Sequence, residues 1–174
     1  MIKADTSALV ALAREIAKAK ADAPAIFADS ARVVAKGSAP AAVQEITAVY
    51  NLAQKRVAAN VNSRAQGPVI FTFAKSRAPS LKEYGGDQVA KGYRAQIKKS
   101  GKPRMVRGGF AASKFDGLPF KRIGKERYPI KVLYGPKISS MLRNREIAPR
   151  FAVKQAEIAR AELTRQMFNR LGRL

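Results

Sequence analysis

Around residues 60–68 the hydrophobic repeat of this chain changes period, and a single kind of layer cannot satisfy both sides of that change. Before it, apolar residues return every three or four positions, as on one face of a helix. After it come short β-branched and aromatic runs punctuated by Gly and Pro, as in strands. From Ile138 the helical period returns. The pattern predicts an α+β fold, with N-terminal helices and a long C-terminal helix packed on a small antiparallel sheet. At 174 residues it also predicts one domain, 1–174. Within it, 1–63 is a helical part, 64–137 a basic sheet part and 138–174 a C-terminal helix.

In the helical part Asp5 and Thr6 are candidate N-caps, and Leu9, Leu12, Ile16, Ala19 and Ala23 share a face. Pro24, preceded by Asp22, predicts either the first turn of a second segment or a kink. The stripe continues through Ile26, Phe27, Val33 and Val34 to Gly37. Ser38-Ala39-Pro40 then predicts a break. A new helix is expected from Ala41 to near Asn60, with Val43, Ile46, Val49, Leu52, Ala53 and Val57 as its apolar face. Residues 60–68 are rich in turn formers and predict a connection.

Val69-Ile70-Phe71-Thr72-Phe73-Ala74 predicts a strand, and residues 79–86 a loop or short turn. From Gly92 to Lys98, Tyr93, Ala95 and Ile97 alternate with Arg94, Gln96 and Lys98, as in a half-buried strand. A basic hairpin-like loop over residues 99–104 follows. Residues 105–111 predict another strand, in which Gly108-Gly109 marks a bulge or a close backbone approach. Residues 118–123 and 130–134 complete the expected sheet. Pro129 cannot donate to a ladder and belongs at a strand's first residue or edge. Ile130, Val132 and Tyr134 then share one face, with Lys131 and Leu133 on the other. Gly135-Pro136 ends the strand by turn chemistry. After a short turn at 139–143 and Pro149, a long helix is expected. Its stripe is Phe151, Ile158, Leu163, Met167 and Leu171, with Arg150, Lys154, Arg160, Arg165 and Arg170 over much of the rest.

The residue inventory narrows the chemistry. With no Cys there is no disulfide framework, thiolate metal site or thiol nucleophile. With no His the commonest general base and metal ligand is missing. The carboxylates Glu83, Asp87, Asp116 and Glu126 of the sheet part are scattered among cations, which suits solvated ion pairs better than a paired-carboxylate site. Neither Gly85-Gly86 nor Gly108-Gly109 has the Gly-Lys-Ser/Thr ending of a phosphate loop. No catalytic residue, cofactor site or metal site is expected. No apolar run reaches the roughly 20 residues of a membrane span. Asp5 and Glu15 among the N-terminal alanines speak against a signal peptide, so maturation in a cytoplasm is expected.

Charge supplies the positive signal. The chain has 34 Lys+Arg against 12 Asp+Glu, net +22. Residues 1–63 hold 8 basic and 5 acidic side chains, residues 64–137 hold 18 and 4, and residues 138–174 hold 8 and 3. The sheet part therefore carries +14 of the total, which points to a polyanionic neighbour, nucleic acid first. The cations are spread over strands and loops with no Arg-rich recognition helix, zinc finger or aromatic-platform signature. Contact would then be with phosphates, non-specific and strongly salt-dependent. Candidate contacts are Lys98, Lys99, Lys102, Arg104 and Arg107, with the loop 98–104 foremost, and Lys121 and Arg122. A ribosomal or nucleoid-type RNA- or DNA-binding protein is one reading of this charge.

The order of the words adds another. Gly109-Phe110-Ala111-Ala112, a Lys/Arg loop, Leu118-Pro119-Phe120-Lys121-Arg122 and then Pro129-Ile130-Lys131-Val132-Leu133-Tyr134-Gly135-Pro136 follow one another, with Met141 in the next turn. This order resembles the tailed-phage minor tail protein Z family, and Leu52-Ala53-Gln54-Lys55-Arg56-Val57 is similar to its Lys-Arg-Ile helix. Lys137 stands where the family pattern has a small polar residue, and Tyr128 where it has Leu. The resemblance implies a virion structural protein of the tail-completion or neck class, assembled in the bacterial host cytoplasm and resident in the tail. It implies a homo-oligomeric ring at the head-proximal end of the tail, next to terminator, tail-tube and head–tail connector proteins. Symmetry matching with those neighbours would make the ring sixfold, with double-stranded DNA passing through its lumen. Pro129, Ile130, Leu133, Tyr134, Gly135 and Pro136 would then serve fold and assembly.

Overall fold

The structure, a computed structural model, describes the backbone of residues 7–171 and the side chains of residues 23–169. The candidate caps Asp5 and Thr6, and the side chains of Leu9, Leu12, Ile16, Ala19, Arg170 and Leu171, lie outside these. The chain is α+β: a long N-terminal helix, three small antiparallel sheets and a long C-terminal helix.

One helix, α1 (Ser7–Val49), runs through both Pro24 and Pro40, so no second segment starts at Pro24 and the break expected at residues 38–40 is absent. Packing explains the continuity at the second. Helix α4 (Ile147–Leu171) crosses α1 at Gly37, where an added Cβ would sit 3.3 Å from Ile158 Cγ2. The buried Ser38 donates back to the Val34 carbonyl (2.8 Å) and accepts from Gln155 Nε2 (3.2 Å). The small residues that read as a break are therefore the seat of a neighbouring helix. Because α4 takes the face holding Val34, Ser38 and Ala42, Phe27 and Val33 are left exposed. On α4 itself Met167 is exposed too, so neither expected stripe is buried along its whole length.

The same seam holds a buried carboxylate. Glu45 is 3% exposed, with Lys154 Nζ 2.6 Å from Oε1 and Arg150 Nε 3.0 Å from Oε2. Oε2 makes no aligned hydrogen bond, so Arg150 holds it by charge alone. Lys154→Ala is expected to lower stability by about 2 kcal/mol. That is less than the ~3–5 kcal/mol of a fully buried pair, because both cations are half in solvent. Arg150→Ala should lose less. Thermal melts of the two variants check the order, and unchanged melting in both would show the triad to be energetically neutral.

After α1 the chain makes a short helix, α2 (Gln54–Ala58), and then a hairpin of β1 (Val61–Gln66) and β2 (Val69–Ala74). The turn-rich stretch before Gly67-Pro68 is thus itself a strand, paired with β2 from Val61↔Ala74 to Gln66↔Val69. A second sheet orders β3 (Asp87–Val89), β4 (Gly92–Ala95) and β5 (Arg104–Arg107). A third orders β6 (Gly109–Ala112), β7 (Leu118–Arg122) and β8 (Ile130–Val132). The single strand expected over 105–111 is divided at Gly108, whose φ of 69° swings the chain from the second sheet into the third. The backbone approach expected at Gly109 is present: an added Cβ would lie 3.0 Å from Tyr93 Cβ and from the Val106 carbonyl oxygen. A single core gathers Ile46 and Val49 of α1, Tyr84 and Tyr93 of the sheet part, and Ile138, Met141 and Ile147 around α3 (Ile138–Leu142).

Residues 128–138 tie these parts together. The Tyr128-Pro129 peptide is cis, and β8 starts one residue later, at Ile130. The strand ends at Val132, sooner than expected. Leu133 packs on the core, donating to the Pro119 carbonyl (2.8 Å) and accepting from Leu81 N–H (3.0 Å). Tyr134 makes only a bridge to Ser80 and is exposed, so it does not continue the face of Ile130 and Val132. Gly135 donates to the Pro79 carbonyl (2.8 Å) under the ring of Tyr84, whose hydroxyl donates to the Pro136 carbonyl (3.2 Å). Ile138 N–H then bonds the Arg77 carbonyl (3.1 Å) as α3 begins.

Candidate nucleic-acid interface

Each candidate cation now has an address. Lys98 pairs across a bridge with Tyr50, its Nζ 3.4 Å from Glu146 Oε2 and 6.0 Å from the Tyr50 ring centroid. Its ammonium is shared with the Glu146 carboxylate, which leaves it less free than its neighbours to meet a phosphate. Lys99 and Lys102 are exposed on the turn that follows. That turn is held by Lys99 N–H to the Val49 carbonyl (2.9 Å) and by Gln96 Nε2 to the carbonyls of Lys99 (2.9 Å) and Gly101 (3.0 Å). Arg104 and Arg107 are exposed at the two ends of β5.

Lys121 and Arg122 are neighbours on β7, and the pleat sends them to opposite faces. Arg122 shares a face with Phe120 and Phe110, its guanidinium 5.8 Å from the Phe110 centroid. Lys121 stands on the other face, directly opposite Lys131 of β8. Like charges placed opposite one another across a ladder destabilise the pair unless something anionic lies between them. The β7–β8 loop adds exposed Lys125 and Arg127 with a single carboxylate, Glu126. Lys131, Lys125 and Arg127 join the candidate contacts on this geometry. Only the strand register puts Lys131 against Lys121, and sequence spacing gives no sign of it.

Carboxylates neutralise little of this charge. In 64–137 three cations are ion-paired: Lys82 with Asp116 (3.2 Å), Arg94 with Asp87 (3.0 Å), and Lys98 with Glu146. Glu83, the remaining partnered acid of the region, takes the forked guanidinium of Arg56. That hydrogen bonding holds the Glu83 carboxyl below its ordinary range. Glu83 also caps the turn at Ser80 and lines a cleft of about 510 Å³ with Arg56, Arg77, Ser80, Leu118 and Tyr134. That acid is engaged by Arg56, so it does not stand in the cleft as a free carboxylate. Burial pushes the Tyr84 phenol well above its usual value, which keeps it neutral beneath Gly135. Among the described residues no cluster of His, Cys, Asp or Glu could hold a metal ion, and no helix is long and apolar enough to cross a membrane.

Set against protein families, characterised proteins and solved structures, the chain matches none of them.

Proposed function

We propose that this chain is a virion structural protein of the tail-completion or neck class, forming a ring at the head-proximal end of a phage tail through which double-stranded DNA passes. One observation supports it above others. The segment 128–138, whose words resemble the minor tail protein Z family, is the seam joining a largely unneutralised cationic sheet region to the C-terminal helices. A seam of that kind specifies a fold and its assembly, and the cations beside it suit transient, sequence-independent contact with phosphates. Cryo-electron microscopy of the parent particle tests the reading: density for this chain is expected in the neck or upper tail, and its absence there would overturn the proposal.

The same free cations support a second reading, a ribosomal or nucleoid-type nucleic-acid-binding protein. That reading expects the chain to travel with ribosomes or bulk DNA through sedimentation at moderate salt. The tail reading expects it to travel with particles.

A further inference from the structure

Along strand β2 a second copy would meet little like charge. Its residues, Val69–Ala74, include no ionisable side chain. Arg64 stands on β1, Arg94 on β4, Arg104 and Arg107 on β5, Lys121 and Arg122 on β7, and Lys131 on β8. The other uncharged strand, β6, is closed by Gln88, whose Oε1 accepts from Ala111 N–H (2.7 Å). β2 is different. β1 occupies one of its edges, and among the described residues the other makes no backbone hydrogen bond.

The pleat of β2 is also inverted. Val69, Phe71 and Phe73 face outward at 51%, 45% and 45% exposure, while Ile70, Thr72 and Ala74 turn toward the protein. An open, uncharged, aromatic edge of six residues is a template for another strand. On a chain of net +22, most approaches of a second copy are opposed by charge. A polyanion would meet only two cations on this face, Lys75 just past the strand end and Arg64, whose guanidinium already lies 5.8 Å from the Phe73 centroid. Both facts favour a neutral strand as occupant, and the chain supplies one.

We propose that β2 pairs antiparallel with β2 of a second copy, joining the two hairpins into one four-stranded sheet with both pairs of phenylalanines on the same face. The contact is two-fold, so it makes dimers and does not close a ring. It therefore stands apart from the ring reading.

Sedimentation velocity over a concentration series at high salt is the test, with Phe71→Lys/Phe73→Lys as the variant. Wild type is expected to dimerise, and the variant to do so roughly tenfold or more weakly. Met167→Lys, a charge at an exposed apolar residue elsewhere, should leave dimerisation unchanged. Because the chain has no Cys, single cysteines at Ile70, Phe71, Thr72 and Phe73 give a second measurement: on oxidation at least one should yield a disulfide-linked dimer. They decide the matter if circular dichroism shows the double-lysine variant to be misfolded. The proposal is overturned by a monomer at every concentration, by dimers that survive the two lysines in a folded variant, or by cysteines that never cross-link. A larger oligomer that also survives the lysines overturns it while leaving the ring reading in place.

Discussion

Gly135→Ala is expected to destabilise this protein by about 3 kcal/mol, at the upper end for overpacking. A methyl group there would lie 2.7 Å from Cζ and Oη of Tyr84 and closer still to Cε2. The ring cannot step aside. Tyr84 is fully buried among the core residues of α1 and the sheets, and its hydroxyl is anchored on the Pro136 carbonyl. The backbone at Gly135 cannot yield either, since its N–H is committed to Pro79 and the next segment docks through Ile138 on Arg77. For a chain of this size the loss corresponds to a melting temperature lower by roughly 6–12 °C. Tyr84→Phe should cost about 1 kcal/mol, for one hydrogen bond. Tyr84→Ala should cost ~3–5 kcal/mol. The decisive comparison is the double variant: with the ring gone, Gly135→Ala should add little. If the two losses simply add, the steric account of Gly135 is wrong.

That glycine shows how far the sequence could be read. Gly135-Pro136 announces the end of a strand, and β8 has already ended at Val132; the sequence does not say that Tyr84 lies across Gly135, because the two are distant in the chain. The same division holds elsewhere. β2 and β7 were legible from their β-branched and aromatic content. β1 was not, since Asn62, Ser63, Arg64 and Gln66 have little strand preference and are extended because β2 pairs with them. Gly37 and Pro40 carry genuine local signals for a helix end, yet α4 needs a small residue at that crossing and the helix continues. Local chemistry was outvoted by tertiary packing. For the candidate interface, composition correctly placed the charge in 64–137. It could not tell which cations are spent: Lys98 is turned to Glu146, Arg94 to Asp87, and Lys121 faces Lys131 only through register.

DNA affinity should fall steeply with salt, and the β7–β8 cations should carry more of that dependence than the loop first singled out. If six to ten phosphates are neutralised, affinity for duplex DNA drops about 10³–10⁵-fold between ~50 and ~200 mM salt. Lys121 and Lys131 are repulsive neighbours in the free protein, so an intervening phosphate both gains attraction and removes a strain. Lys125 and Arg127 stand on the same connection with only Glu126 to offset them. Changing Lys121, Lys125, Arg127 and Lys131 together to Ser should therefore lower the slope of log K against log salt by about 0.9 for each phosphate no longer neutralised. Changing Lys99, Lys102, Arg104 and Arg107 together should lower it too, by less, because these side chains are exposed without like-charge crowding. Lys98→Ser should leave the slope where it was, its ammonium being shared between Glu146 and the Tyr50 ring. Fluorescence anisotropy with duplexes of unrelated sequence reads all three. Equal affinities across those duplexes are expected, since cations dispersed over strands and loops meet phosphates and carry no sequence information. A slope unmoved by either set of substitutions would mean that the cations of the sheet part do not contact DNA.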